Sequence, residues 1–189
     1  QQKQNNIKGL WGINKINISD LKESHKLKYP DNRIIYLKSE NGILVIFTRE
    51  NKLIKYKISD RKIIYEKQFD DIVNNINIYE NNIFIAFKNK VISIPINENK
   101  ISTIIEDNNF IFQDIKISKG KLLGIYNSKN EINFLCFDLD KKKLIKTFII
   151  ERHESLWYLE MFRDFYDNKI FFFKGNSIIT YSDIFPSNE

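Results

Sequence analysis

Two short patterns recur along the chain with one shared spacing, and this repetition limits the fold more than any other sequence feature. The first pattern is apolar, any residue, apolar, then Ser, Asn or Asp, with Lys usually three residues further on. Its second apolar residue is Ile18, Ile58, Ile96, Leu139 and, in a decayed copy, Tyr181. Successive copies are 40, 38, 43 and 42 residues apart.

The second pattern is a turn residue followed by a dense apolar run. Its first apolar residue is Ile43, Ile83, Leu122 and Ile170, with spacings of 40, 39 and 48 residues. Self-similarity at a fixed period of 20 to 50 residues is the signature of a repeat architecture. Two independent patterns with one period near 40 therefore predict a chain built from repeated structural units.

Each repeat reads as four strands. The first strand is interpreted as an alternating segment, at 33–37 and at 75–79, and the second strand as an apolar run, at 43–47. An alternating third strand then ends in the Lys-containing turn. The fourth strand follows that turn, as at 62–69. The chain has 35 Ile but one Ala, which favours strands over helices. An apolar second strand is typical of burial on both faces, and a Lys-rich fourth strand is typical of an outer edge.

Four antiparallel strands in 40 to 45 residues form the blade of a β-propeller. The predicted fold is therefore all-β, a β-propeller-like array of about four four-stranded antiparallel blades. A lipocalin-like β-barrel is the main alternative, because residues 9–11 match the Gly-x-Trp of lipocalins, and a β-sandwich is another. The barrel leaves the period unexplained. The predicted organisation is a polar N-terminal tether, 1–9, before a single domain, 10–189.

Residues 132–148 resemble the repeat of the PQQ-like, quinoprotein-type β-propellers, in which the third strand ends in Asp and the fourth in an aromatic residue. Asp138, Lys143 and Phe148 occupy the matching places, while the turn Gly and the fourth-strand Trp of that repeat are absent. The resemblance extends at blade level over most of the chain. It implies a propeller like those of the bacterial envelope, including the outer-membrane assembly lipoprotein of that shape.

The number of blades is left open by the repeats. Five third strands are predicted, the first within 10–29 and the last at 176–184, but only four of the preceding strand pairs. Three arrangements fit this count: a terminal segment that overlaps as a closing strand, an irregular ring, or part of a larger propeller completed by other residues or by another chain.

The charge pattern argues against specific nucleic-acid binding. The net charge is +6, with +8 in residues 1–69 and −2 in residues 70–189. The cations are 25 Lys and only 5 Arg, mostly separated by other residues, whereas base and phosphate recognition favours Arg. No apolar run approaches the length of about 18 residues that a transmembrane helix needs, so contact with a membrane is expected only through the tether.

Residues with chemical potential do not form a recognisable catalytic or metal motif. Cys136 is the single cysteine and alternates with apolar neighbours, which predicts a buried packing thiol. His153 lies near Glu151 and Glu154, but that spacing is not a zinc-protease motif and His25 lies in another repeat. The sequence therefore predicts no enzyme activity, no metal and no cofactor.

Partner contacts are expected on the propeller face formed by the loops between second and third strands and between blades, a face that is otherwise a solvated rim of mixed charge. The segment 151–166 is the most unusual of these, because it is rich in Trp, Tyr and Arg. These residue types dominate the energetics of protein interfaces. Its alternative role is to fill core between two blades. The candidate contacts are Arg49, Arg152, His153, Trp157, Tyr158 and Arg163.

The predicted function is a non-enzymatic protein-interaction or scaffold module. The envelope resemblance favours an exported or cell-envelope protein, periplasmic or at the surface, although a cytoplasmic protein of biased composition fits the sequence too. The alternative function is a carrier of a small apolar ligand, which requires the lipocalin-like barrel.

Overall fold

A computed structural model describes residues 34–128, 131–150, 162–166, 169–174 and 177–184, all within one compact unit of residues 32–189. These residues form three four-stranded antiparallel sheets and one three-stranded antiparallel sheet. The strands of the first sheet are β1 (Ile34–Glu40), β2 (Ile43–Thr48), β3 (Lys52–Lys57) and β4 (Lys62–Gln68). Those of the second sheet are β5 (Asn75–Tyr79), β6 (Asn82–Ala86), β7 (Lys90–Pro95) and β8 (Ser102–Glu106).

The third sheet contains β9 (Phe112–Ser118), β10 (Lys121–Ser128), β11 (Glu131–Asp138) and β12 (Lys143–Ile150). The fourth sheet contains β13 (Phe162–Tyr166), β14 (Lys169–Lys174) and β15 (Ser177–Tyr181). In every sheet the strands pair in chain order. The predicted array of four-stranded antiparallel units is confirmed for three repeats, and the fourth shows three of its strands within the described residues.

The hairpins between first and second strands use residues that tolerate positive φ. The paired turn residues are Asn41 and Gly42, Glu80 and Asn81, and Lys119 and Gly120, and all six have φ between 44° and 76°. Two consecutive residues at positive φ are typical of the type I′ turn, whose twist matches that of the flanking strands. The abundance of Asn therefore has a local structural use in this chain, because Asn tolerates the left-handed region better than most residues.

The repeated apolar marker of the sequence closes each sheet at this same end. The markers Ile58, Ile96 and Leu139 directly follow β3, β7 and β11. Their backbone N–H groups donate to the carbonyl of the second turn residue, at Gly42, Asn81 and Gly120, over 3.0, 2.7 and 2.9 Å. Each third strand is thereby tied to the first hairpin of its own sheet, which explains why the marker keeps its place in every repeat.

A register shift recurs where the outer strand pairs with the third strand. It falls between Lys55 and Tyr56, between Val91 and Ile92, and between Cys136 and Phe137. Such irregularities increase the local twist of the paired strands. The three sheets therefore share a detail of geometry that the sequence pattern did not reveal.

Burial increases towards the middle strands of each sheet. Strands β2 and β6 are buried on both faces and β4 is exposed along nearly its whole length, as predicted. The third strands differ from the predicted alternation, because β3 and β7 are also buried on both faces. Strand β7 lies between β6 and β8, and its side chains belong to the clusters with both the first and the third sheet, so both of its faces are covered.

Three apolar clusters lie between consecutive sheets. One joins the first and second sheets, one joins the second and third, and one joins the third and fourth through Phe165, Ile170 and Ile184. Each cluster contains side chains of neighbouring repeats only. This is the contact pattern of a repeat protein, in which each unit packs on the next.

The lipocalin-like barrel is not the fold, because the described strands form four separate sheets rather than one closed sheet. The β-sandwich is likewise excluded by the three successive clusters between sheets. The predicted tether 1–9, the predicted strands within 10–29 and the start of the predicted domain at residue 10 lie outside the described residues. The number of blades in the predicted count therefore stays a prediction.

Candidate functional site

The connections at one end of the first two sheets form a shared surface, called the loop face below. It consists of the β2–β3 turn (49–51), the β6–β7 segment (87–89) and the two connections between sheets (69–74 and 107–111). The turn pairs 41–42 and 80–81 lie at the opposite end of these two sheets. The prediction that these two kinds of loop share one face is confirmed by the hydrogen bonds that join them.

Asn51 connects the β2–β3 turn to the segment that leaves the first sheet. Its φ is 61°, its carbonyl accepts from the N–H of Phe69 at 3.0 Å, and its side-chain Oδ1 accepts from the N–H of Val73 at 3.3 Å. The equivalent Asn89 accepts from the N–H of Asp107 at 2.9 Å. The same backbone contact therefore holds the connection at the end of each of these two sheets.

Asn side chains also join the loop face across sheets. Asn74 donates from Nδ2 to the carbonyl of Phe112 at 2.6 Å, and Asn89 donates to Oδ1 of Asn108 at 2.7 Å. The N–H of Phe112 in turn donates to the carbonyl of Lys88 at 2.7 Å. Because backbone and side chains fix these loops together, the surface that they present is ordered before any partner arrives.

The charged side chains of the loop face have mixed sign, as predicted. Lys90 Nζ lies 2.7 Å from Asp71 Oδ2 and 5.1 Å from the centre of the Phe87 ring. Arg49 and Asp70 are exposed. The loop face thus has one fixed ion pair and further charges that are accessible to a partner.

A pocket of about 300 Å³ opens between the first and second sheets beside the loop face. It is called the inter-sheet groove below. Its lining residues are Lys67, Gln68, Phe69, Asp70, Asp71, Phe87, Lys90, Ile92, Ile101, Thr103 and Glu106. The sequence did not predict it, because its two walls come from different repeats and no single segment contains its pattern.

The structure describes the side chain of only one of the six predicted contact residues. Arg49 lies exposed in the β2–β3 turn, so the structure places it on the loop face. Arg163 belongs to β13, and its side chain is outside what the structure describes. The positions Arg152, His153, Trp157 and Tyr158 lie outside the described residues. Their grouping with Arg49 therefore stays a prediction.

Cys136 is a buried packing thiol, as predicted. Its side chain is fully buried, its Sγ lies 3.8 Å from the carbonyl of Ile184, and burial raises the pKa of the thiol to about 12. The cation of Lys146 opposes this rise. A thiol in this environment is a poor nucleophile near neutral pH.

Asp138 has structural contacts at the end of β11. Asp138 accepts hydrogen bonds from Lys121 Nζ and, at 2.9 Å, from the N–H of Lys141. The hydrogen bond from Lys121 is the main reason that the pKa of Asp138 lies below its usual value. Among the described residues, no group of three or more His, Cys, Asp or Glu side chains is placed to hold a metal ion.

Lys55 is a buried lysine that sequence reasoning missed. It is fully buried in β3, and its Nζ donates to the carbonyls of Pro95, at 2.7 Å, and Glu98. The Nζ also lies 4.9 Å from the centre of the Tyr65 ring. Burial lowers the pKa of Lys55 to about 8, and the carboxylate of Glu98 opposes this shift. No signal in the sequence separates Lys55 from the exposed lysines around it.

The first strands of the second and third sheets place polar side chains at equivalent positions. Asn75 of β5 and Asp114 of β9 each have a buried side-chain oxygen without a hydrogen-bond partner. Burial raises the pKa of Asp114, and Lys116 at 3.6 Å opposes the rise.

No helix of the described residues has the length and hydrophobicity required to cross a membrane. No protein-family model matches the chain, and no curated protein sequence is significantly similar to it. The known relatives are therefore relatives in structure alone.

Three solved structures illustrate this similarity. The computationally designed Ika4 protein matches with a TM-score of 0.60 and 13% identity, over 83% of this chain and 95% of that chain. The N-terminal domain of Nup159 matches with a TM-score of 0.51 and 15% identity, over 77% of this chain and 43% of that one. The Kuenenia stuttgartiensis hydrazine synthase matches with a TM-score of 0.50 and 15% identity, over 58% and 34%.

The chain spans less than half of each of the two natural proteins named above. Both are β-propeller proteins, as are further structures that it resembles. Together with the four-stranded antiparallel sheets that repeat in chain order, these similarities show that the chain has a β-propeller-like fold.

Proposed function

We propose that this protein is a non-enzymatic interaction module that binds a protein partner through its loop face. The observation that carries the proposal is the ordered junction of loops at the end of the first two sheets. Connecting loops held on a rigid scaffold are where binding residues are concentrated. Here Asn51, Asn74 and Asn89 hold those loops in place through hydrogen bonds of 2.6 to 3.3 Å.

The contacts of the buried ionisable groups support a binding role over a catalytic one. Lys55 donates to two backbone carbonyls, and Asp138 accepts from Lys121 and from the Lys141 backbone. Cys136 lies in the cluster between the third and fourth sheets. Each of these groups has a structural contact that accounts for its position. One structurally similar protein is an enzyme, so the fold by itself does not decide the question.

We extend the proposal to the cell envelope. Its support is the resemblance of residues 132–148 to the quinoprotein-type repeat, of which Asp138, Lys143 and Phe148 are the matching residues. Fractionation of the producing cells, with an antibody to the chain, would test this part separately. Recovery in the soluble cytoplasmic fraction would overturn the envelope location and leave the interaction role to its own test.

The interaction role is tested by affinity capture from an extract of the producing cells with four forms of the protein. They are the wild type, Arg49→Glu, Lys88→Glu and the control Lys62→Ala. Arg49 and Lys88 are exposed on the loop face, whereas Lys62 is exposed at the opposite end of the first sheet. We expect a protein captured by the wild type and by Lys62→Ala to be lost or reduced with both loop-face variants.

Equal capture by all four forms would overturn the loop face as the binding surface, and capture of no protein by the wild type would overturn the interaction role. Alanine variants at Arg152, Trp157 and Tyr158 then test whether the segment 151–166 shares the surface. A further loss of the same captured protein would place that segment in the interface. Unchanged capture would remove it from the proposal.

A further inference from the structure

The inter-sheet groove has one wall from each of two repeats. The first wall is the end of β4 and the start of the connection to β5, including Lys67, Phe69 and Asp70. The second wall is formed by the middle and outer strands of the second sheet, including Ile92 and Thr103. Thr103 is paired directly with Ile92, so both side chains point from the same face of the second sheet towards the first.

The floor of the groove is apolar and firmly packed. Phe69 stacks on Phe47 with ring centres 6.2 Å apart, and it meets Phe87 at 5.4 Å. Phe47, Phe87 and Ile92 belong to the buried cluster between the first two sheets. An apolar group entering the groove would therefore meet a surface that is already in place, which lowers the entropic cost of binding.

The charged side chains of the groove favour a cationic ligand. Asp71 is already paired with Lys90 at 2.7 Å, so this carboxylate is neutralised within the groove. The exposed carboxylates of Asp70 and Glu106 remain, against the single exposed ammonium of Lys67. The groove is thus a locally acidic place on a chain whose net charge is +6.

The interface between two consecutive sheets is called a seam below. The second seam, between the second and third sheets, is filled by the protein's own side chains. Between the second and third sheets, Ile105, Phe110 and Leu139 pack against the buried cluster. The ring of Phe110 contacts those of Phe112 and Tyr126, with ring centres 5.8 Å and 4.6 Å apart. In the first seam, Ile101 is instead exposed at the groove.

We propose that the inter-sheet groove binds a short extended segment of the partner protein that presents an aliphatic side chain next to Arg or Lys. The aliphatic side chain packs on Phe69, Phe87 and Ile92, and the cation is placed between Asp70 and Glu106. A volume of about 300 Å³ is at the lower end of the range for ligand pockets and suits one or two side chains rather than a folded domain. This inference rests on the proposed function, since it names the partner chemistry beside the same loop face.

The test uses the full chain and fluorescein-labelled hexapeptides, with binding followed by fluorescence anisotropy. The probe is Gly-Ser-Leu-Arg-Ser-Gly, and the matched peptides replace Leu by Ser or Arg by Glu. We expect measurable, saturable binding of the probe and about five- to tenfold weaker binding of either matched peptide, because exposed ion pairs and a single aliphatic group each contribute modestly. High salt should weaken the probe's binding and should not weaken that of the Arg-to-Glu peptide, because salt screens attraction in the first case and repulsion in the second.

Variants assign the binding to the groove. Asp70→Asn combined with Glu106→Gln should reduce probe affinity to that of the Arg-to-Glu peptide, and Thr103→Trp should fill the groove and abolish binding. Lys62→Ala, at the opposite end of the first sheet, should bind as the wild type does. Equal binding of all three peptides, or probe binding that the groove variants leave unchanged, would overturn the inference.

The failures of the two proposals differ in the experiment. If capture depends on Arg49 and Lys88 but the probe does not bind, the groove inference is wrong and the loop-face role stands. If the probe binds through Asp70 and Glu106 but capture is insensitive to the loop-face variants, the proposed surface is wrong and the groove remains. If neither result is obtained, both proposals fail.

Discussion

The seam between the first and second sheets and the seam between the second and third are built from different side chains on one backbone plan. The first contains eight isoleucines among its twelve buried residues, with Phe47 and Phe87 at one side. The second is aromatic, with Phe84, Phe112, Tyr126 and Phe137 in contact with small residues such as Ala86. The repeat therefore specifies strand order and turns, while the packing between repeats differs from one seam to the next.

The polar side chains that form hydrogen bonds across a seam, called ties below, also differ between the two seams. Lys55 crosses the first seam with a buried ammonium that donates to Pro95 and Glu98 carbonyls, 40 and 43 residues further along the chain. Tyr79 crosses the second with a neutral hydroxyl that accepts from the N–H of Gly120 at 2.8 Å, 41 residues further on. The first seam therefore has a charged hydrogen-bond donor from a third strand, and the second seam has a neutral acceptor from a first strand.

The largest effect should come from removing the central ring of the aromatic seam. Phe112 is fully buried, and its ring lies so close to Gly124 that a Cβ on Gly124 would be 2.9 Å from Phe112 Cε1. Phe112→Ala should lower the free energy of unfolding by about 3 to 5 kcal/mol. Urea denaturation followed by Trp fluorescence and circular dichroism would measure it.

The control for this variant is Ile85→Val in the aliphatic seam, where one methylene is removed from a fully buried side chain. Its cost should be about 1 kcal/mol. If Phe112→Ala were no more costly than Ile85→Val, the aromatic seam would not be as tightly fitted as its distances indicate.

The second prediction concerns the charged tie. Lys55→Ala leaves the Pro95 and Glu98 carbonyls without their donor and opens a cavity, so it should cost about 2 to 4 kcal/mol. Lys55→Met keeps most of the volume and removes a charge that is costly to bury, so its cost should be about 1 to 2 kcal/mol smaller. Both values come from thermal or urea unfolding.

Similar costs for Lys55→Met and Lys55→Ala would mean that the hydrogen bonds to the two carbonyls dominate. A Met variant close to the wild type would instead show that volume is the main requirement, and that the buried charge itself contributes little net stability.

The third prediction compares two glycines at equivalent turn positions. Gly42 and Gly120 have φ values of 76° and 70°, so an Ala at either position is strained by about 1 kcal/mol. A Cβ at Gly42 meets nothing within 4 Å, whereas one at Gly120 would lie 2.7 Å from Asp140 Oδ2. Gly120→Ala should therefore cost about 1 kcal/mol more than Gly42→Ala in urea unfolding.

Removal of the clashing carboxylate sharpens this comparison. In an Asp140→Ala background, the difference between the two glycine substitutions should shrink towards zero. A difference that persists unchanged would mean that the hydrogen bond from Gly120 to Tyr79, rather than contact with Asp140, makes this turn the more sensitive.

The smallest effect is a pH dependence from Lys55, whose pKa is lowered to about 8 from 10.5. Above pH 8 the folded state releases the Lys55 proton while the unfolded state keeps it until higher pH, so stability rises with pH. Between pH 7 and 9 the wild type should gain about 1 kcal/mol relative to Lys55→Met. The measurement is urea unfolding of both proteins at each pH, and parallel profiles would show that Lys55 titrates normally.

The stability of the wild type has to be compared with that of Lys55→Met at each pH, because other groups titrate in or just above the same pH range. Burial raises the pKa values of Cys136 and Tyr36 to about 12, so their contributions to stability are lost as pH rises above their unfolded values. These contributions are common to both proteins and cancel in the comparison.

Local turn and strand signals were sufficient to predict the repeated unit. The Asn-Gly pair at 41–42 marks a type I′ hairpin, and the marker residues Ile58, Ile96 and Leu139 fall directly after three third strands. Contacts between repeats were not predictable in this way. Burial of Lys55 depends on carbonyls of the next sheet, and the inter-sheet groove depends on Ile101 remaining exposed. Such features arise from pairs of repeats, which no periodicity within one repeat encodes.

The three apolar clusters that join consecutive sheets also affect how the protein folds. Most strand pairing is between chain neighbours joined by short turns, so each sheet can form from local contacts at a low cost in loop closure. Docking of one sheet on the next then proceeds in steps, each stabilised by its own cluster. Unfolding of this chain should therefore be able to begin at one sheet and spread, and equilibrium intermediates with some sheets intact are an expected property of its construction.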